Sequence, residues 1–132
     1  MNDPRPQTSH FKSKSGLARI FSAFGYSVAG LRAAWRTEHA FRQELMLLAV
    51  ASVMALLLPL PAAQKLLLIG VFVLVLIVEL INSAIEAVVD RVSLETHHLS
   101  KNAKDFGSAA VLLSVLLALA TWAVIIWPLL AR

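Results

Sequence analysis

The chain has 132 residues, 58% of them hydrophobic, with a mean hydropathy of +0.74 and a formal net charge of +4. Soluble domains are roughly 45–50% apolar, so this balance excludes an ordinary soluble domain and points to a membrane protein. The absence of cysteine excludes disulfides and cysteine-based zinc sites.

Residues 1–15, polar and containing Pro, Ser, Lys and Asn, read as a disordered tail, and no apolar run follows them that would make a cleavable signal peptide. From Gly16 onward Leu17, Ile20, Phe21, Phe24, Val28, Leu31 and Trp35 recur at helical spacing on one face, with Arg19, Arg32 and Arg36 off it. The pattern predicts an amphipathic helix over about 16–37, lying in the membrane interface. Two uses are open to it: a generic anchor, or a lid that helps build a site at the membrane surface and offers Arg19 and Tyr26 to a ligand.

Three apolar runs follow, Leu45 to Leu60, Leu66 to Val89 and Ala109 to Leu130. A helical span needs about 17–25 residues, so the first borrows from its polar approach, and the spans are set at about 40–60, 66–90 and 107–130. Pro59 and Pro61 make a tight turn between the first two. The expectation is an all-α integral membrane protein of three transmembrane helices and an N-terminal surface helix, residues 16–132 forming one domain.

Ten of the twelve basic residues fall before the first span or in the 91–106 loop, and only Lys65 and Arg132 fall on the other side. The positive-inside rule then makes the N-terminus and that loop cytoplasmic. The net charge reads as topology and contact with anionic lipid, with no nucleic-acid partner.

Chemistry concentrates in the run VELINSAIEAVVDR, Val78 to Arg91. Glu79, Asn82 and Glu86 are spaced i, i+3, i+7 and share one helix face. A carboxylate at membrane depth is costly and marks a functional site by default. Other candidates gather on the same side: Glu38 and Glu44 at the first span, Ser83 and Asp90 on the second, Glu95, His97, Lys104 and Asp105 at the loop. Phosphoryl transfer from ATP needs a divalent cation held by one or two carboxylates, an acceptor for the hydroxyl proton, and cations on the polyphosphate. Every part is present. Glu79 is deepest, seven residues or ~10 Å of helix rise below Glu86; a deep base suits a hydroxyl presented by a lipid.

Plainer readings stand beside these. Glu79 can be satisfied by Asn82 or a neighbouring helix, and Glu86 and Asp90 can mark the helix reaching water. His97 and His98 can be solvated loop residues, and Asp105 can start the third span as a charge favoured by the helix dipole. Ala110, Ser114 and Ala118 read as a small-residue packing ridge. A proton- or ion-conducting oligomer with Glu79 as the translocated site, and a structural scaffold, are the competing classes. The first does not need Glu95, Lys104 and Asp105; the second leaves the polar stripe unexplained.

VELINSAIEAVVDR, HHLSKNAKDFGSAAV (His97 to Val111), GYSVAGLRAAW (Gly25 to Trp35) and EHAFRQE (Glu38 to Glu44) together resemble the small prokaryotic diacylglycerol kinase family over about residues 16–130. The resemblance implies a homotrimeric bundle with active sites shared between subunits in the bacterial inner membrane, using magnesium-ATP to phosphorylate diacylglycerol to phosphatidic acid. It makes Glu79 the general base and Glu38 and Glu86 the metal and ATP ligands. Arg19, Tyr26, Glu95, Thr96, His97, Lys104 and Asp105 become nucleotide contacts, and Asn82 supports the phosphate region. Arg19, Phe41, Arg42, Gln43, Glu44, Glu79 and Ser108 become lipid contacts. Ser22 stands where the family often has a lysine, and His98 and Lys101–Asn102 vary the loop. A sister branch that phosphorylates undecaprenol shares the catalytic motif, whereas GLRAAW, AFRQE and AVVDR lean toward the diacylglycerol branch.

Overall fold

The computed structural model describes residues 16–92 and 97–131. The tail assigned to 1–15, together with Glu95 and Thr96, lies outside the described residues. Four helices follow in order: α1 (Gly16–Thr37), α2 (His39–Leu57), α3 (Ala62–Val92) and α4 (His98–Leu130), with no strand among the described residues. The fold is all-α, and α2, α3 and α4 are each long and apolar enough to cross a membrane.

The described residues divide into two compact units, one within 1–33 and the other within 34–132. Within the first, the helix carries Leu17, Ile20, Phe21 and Phe24 on one face, all exposed. An apolar stripe of this kind on a helix bearing arginines suits the headgroup boundary of a bilayer.

In the second unit α3 is the central helix, packed against α2 on one side and α4 on the other. Its buried positions are Leu68, Val71, Val75, Leu76, Glu79 and Asn82. Apart from Leu76 they step by three or four residues along a single face, so the polar residues continue the seam that Leu68, Val71 and Val75 begin. Glu79 and Asn82, 6% and 8% exposed, therefore face protein and not lipid.

Two apolar clusters hold the seam. Ala34, Phe41 and Leu76 meet with Leu45, Leu48 and Leu80 around them. Val71, Val75 and Ala118 meet with Phe72, Val115 and Trp122. Trp122 packs edge-on to Phe72 at 5.9 Å and donates its indole N–H to the Leu68 carbonyl at 3.0 Å, tying α4 to α3 at the end far from the carboxylates.

Helix ends differ from the expected spans for identifiable reasons. α2 stops at Leu57 because Leu58 precedes Pro59 and adopts ψ 144, the extended conformation proline imposes on its predecessor. Lys65 reaches across the turn to donate to the Leu56 carbonyl at 2.7 Å, satisfying an orphan acceptor at the α2 C-terminus. α4 begins at His98, well ahead of the apolar run, because the His97 imidazole accepts from the Leu99 N–H at 3.2 Å and caps it.

The small-residue ridge of α4 also shifts. Ser114 and Ala118 are buried as expected, but Ala110 is exposed and Gly107 is buried instead. The positions 107, 114 and 118 lie within about 40° of one another around the helix and make the packed line, with 110 at its edge.

Candidate active site

The site lies where α2 begins, α3 ends and α4 begins. Glu38 occupies the α1–α2 corner in an extended conformation, φ −100 and ψ 114, and accepts from the Thr37 hydroxyl at 2.9 Å. Its backbone N–H bonds the Ala34 carbonyl at 2.9 Å. Arg42, one turn into α2, folds back to donate to the Trp35 and Arg36 carbonyls at 2.9 and 3.3 Å. A guanidinium on the last carbonyls of α1 complements the negative end of that helix and fixes the corner carrying Glu38. Phe41, 4% exposed, plugs the corner against Ala34 and Leu76. The resemblance makes both residues lipid contacts; the packing gives them the task of holding the corner. Gln43, the residue after Arg42, is exposed.

On α3 the Asn82 amide nitrogen donates to a Glu86 carboxylate oxygen at 3.3 Å. The charges of Glu86 and Glu38 both act on Glu79, and that of Glu79 acts on Glu44. Glu38, Glu44 and Glu86, from the α1–α2 corner, α2 and α3, thus come within electrostatic reach of Glu79, making a group of four carboxylates. Among the described residues the ion pairs are Lys104–Asp90 at 2.6 Å and Lys101–Asp105 at 2.5 Å, and neither involves these four. Two polar atoms in this region are buried with no hydrogen-bond partner among the described residues, Glu44 Oε2 and Asn82 Oδ1. Such a concentration of negative charge calls for a cation.

Among the described residues no three His, Asp or Glu side chains converge to hold a metal ion. Magnesium bound with a polyphosphate needs only one or two carboxylates, because phosphate oxygens and waters complete its shell. Glu38 and Glu86 are carboxylates of the kind that such a cation takes.

The remaining described candidates fall on α4 and α1. Lys104 is half-buried and reaches back from α4 to Asp90 at the end of α3, closing the α3–α4 connection. Asp105 is paired with Lys101 one turn before it, His97 caps α4 and stacks on His98 at 4.5 Å, and Ser108 is exposed. Arg19 and Tyr26 belong to the 1–33 unit, where both are exposed on α1.

Comparison with known proteins bears on this geometry. The family model described as prokaryotic diacylglycerol kinase matches residues 25–126, most of the chain. The chain belongs to the prokaryotic diacylglycerol kinase family. Among its relatives, the diacylglycerol kinase of Pseudomonas aeruginosa is 54% identical over 118 residues, covering 89% of this chain and 96% of that protein. The diacylglycerol kinase of Escherichia coli K12 is 52% identical over 113 residues, covering 86% and 93%. That of Helicobacter pylori strain 26695 is 42% identical over 107 residues, covering 81% and 84%.

The matched span contains every candidate site residue except Arg19. Sequence reasoning missed one position inside it. Gly107 of α4 lies so close to Asn82 that a Cβ placed there would overlap the Asn82 amide oxygen. The available signal was a glycine seven and eleven residues ahead of Ser114 and Ala118, on the face that packs.

Proposed function

We propose that the chain transfers the γ-phosphoryl group of ATP to the free hydroxyl of diacylglycerol, giving phosphatidic acid and ADP. The observation that carries this reading is the α3 seam, apolar from Leu68 to Val75 and then acidic at Glu79 and Glu86. A lipid hydroxyl presented from the bilayer meets Glu79 first, and a water-soluble nucleotide meets Glu86 and Glu38 first.

Glu79 accepts the hydroxyl proton as the hydroxyl oxygen bonds to the γ-phosphorus and the bond from that phosphorus to the β–γ bridging oxygen breaks. ADP leaves with the released electron pair, and the proton passes from Glu79 to solvent. Glu38 and Glu86 would hold magnesium, which when bound would neutralise charge on the phosphate oxygens. Asn82 orients Glu86 through its amide. Lys104 exchanges Asp90 for phosphate oxygens, and Arg19, Tyr26, Glu95, Thr96, His97 and Asp105 complete the nucleotide contacts. Glu44 and Ser108 lie toward the lipid.

The active assembly is a homotrimer with sites shared between subunits. Residues 16–132 act as one kinase domain in the bacterial inner membrane, with the N-terminus and the 91–106 loop cytoplasmic. This reading also accounts for the exposed apolar surfaces of α2 and α4, including Leu47, Val50, Leu57, Leu113, Leu117 and Val124, which partner copies and lipid would cover.

The test is ADP release by the purified protein in detergent micelles. Release that requires both magnesium and added diacylglycerol is the expected result. Release independent of lipid, or none at all while the protein conducts protons in liposomes, would sink the kinase reading.

A further inference from the structure

We infer that Gly107 is a positioning residue, whose missing side chain lets α4 press the Asn82 amide into the orientation that presents it to Glu86. This rests on the assignment of Glu86 to the metal-nucleotide site. Three observations converge on it. Gly107 is buried in the α3–α4 seam, and an added Cβ there would overlap Asn82 Oδ1. Asn82 is itself 8% exposed, so its amide is enclosed in the same seam. Its Nδ2 donates to Glu86 Oε1 at 3.3 Å, while its Oδ1 is buried with no hydrogen-bond partner among the described residues.

An amide oxygen buried without a partner is normally unfavourable, and an unconstrained asparagine turns to avoid it. Here the α4 backbone at Gly107 is the wall against which that oxygen rests. The two ends of one amide are rigidly coupled, so fixing Oδ1 against α4 fixes Nδ2 toward Glu86. A methyl group at position 107 meets the far end of a flexible side chain, and the cheapest relief is rotation of Asn82. That rotation swings Nδ2 away and leaves Glu86 without its donor. Groups that orient a metal ligand in this way alter metal affinity by about 10–100-fold when removed.

The experiment compares wild type, Gly107→Ala, Asn82→Ala and the double variant. Each is assayed for lipid phosphorylation against magnesium concentration, and for Mn-ATP binding by electron paramagnetic resonance. Gly107→Ala should raise half-saturating magnesium ~10-fold or more while the diacylglycerol KM stays within about twofold. Asn82→Ala should weaken Mn-ATP binding by a similar factor. Adding Gly107→Ala to it should change nothing further, because no amide remains for the methyl to displace. A purely structural glycine predicts that Gly107→Ala depresses every parameter together and by the same factor in both backgrounds, and that pattern would overturn the inference. Unchanged magnesium dependence in Gly107→Ala would overturn it too. If wild type binds Mn-ATP but phosphorylates no lipid, the kinase reading fails, and the binding cycle still decides the role of Gly107.

Discussion

Glu79→Gln is expected to reduce phosphoryl transfer by about 10²–10⁴-fold, the contribution of a positioned general base. The substitution keeps the volume and hydrogen-bonding shape of the side chain and removes only its capacity to accept a proton. Glu79 is 6% exposed in the α3 seam, so a smaller residue would leave a hole and confuse chemistry with packing. Glu38, Glu86 and the Asn82–Glu86 hydrogen bond stay in place, so Mg-ATP should still bind. Replacing a buried carboxyl by a neutral amide of the same size also removes the burial of a charge, so stability should hold or rise. The check is a pair of measurements on one preparation, kcat with diacylglycerol and the Mg-ATP dissociation constant. Turnover like that of wild type would remove Glu79 from the chemistry. A parallel loss of nucleotide binding would move it to the metal site.

The second large effect is expected at the shallower carboxylates. Glu86→Gln and Glu38→Gln should each raise half-saturating magnesium by ~10-fold or more, with a smaller effect on the diacylglycerol KM. In both variants the local structure has what it needs to persist. The amide oxygen introduced at position 86 can still accept from Asn82 Nδ2, and the one introduced at position 38 can still accept from the Thr37 hydroxyl. What is lost is negative charge facing the cation. Saturating magnesium should therefore restore much of the turnover in Glu86→Gln, whereas no magnesium concentration should rescue Glu79→Gln. Titration of activity with magnesium at fixed ATP distinguishes the two. An unchanged magnesium requirement in both variants would mean that neither side chain holds the metal.

Much of this architecture is legible in the sequence because a bilayer permits few spanning structures, and helical periodicity then assigns faces. Glu79, Asn82 and Glu86 fall on one face by spacing alone, and the structure extends that face into the buried stripe of Leu68, Val71 and Val75. What spacing does not contain is which residue of another helix meets that face. Asp90 cannot face its neighbour Arg91 on a helix; its partner is Lys104, fourteen residues on, and depends on how α4 begins. That beginning is set by the His97 cap, which a loop reading of His97 and His98 does not anticipate. Arg42 and Phe41 read as lipid contacts from resemblance, yet one ties down the α1 C-terminus and the other fills the corner, because two helices join there through the single residue Glu38. Gly107 escaped notice for the same reason. A glycine is conspicuous only once the side chain it makes room for is in place.

The central claim is that this polar seam serves transfer of phosphate to a membrane lipid, and that the lipid is diacylglycerol. The most direct test offers diacylglycerol and undecaprenol side by side in mixed micelles with γ-labelled magnesium-ATP and identifies the labelled product. Phosphatidic acid as the main labelled lipid is the predicted result. Labelled undecaprenyl phosphate as the main product would contradict the substrate assignment while retaining the transfer chemistry. No label in either lipid would contradict the claim itself.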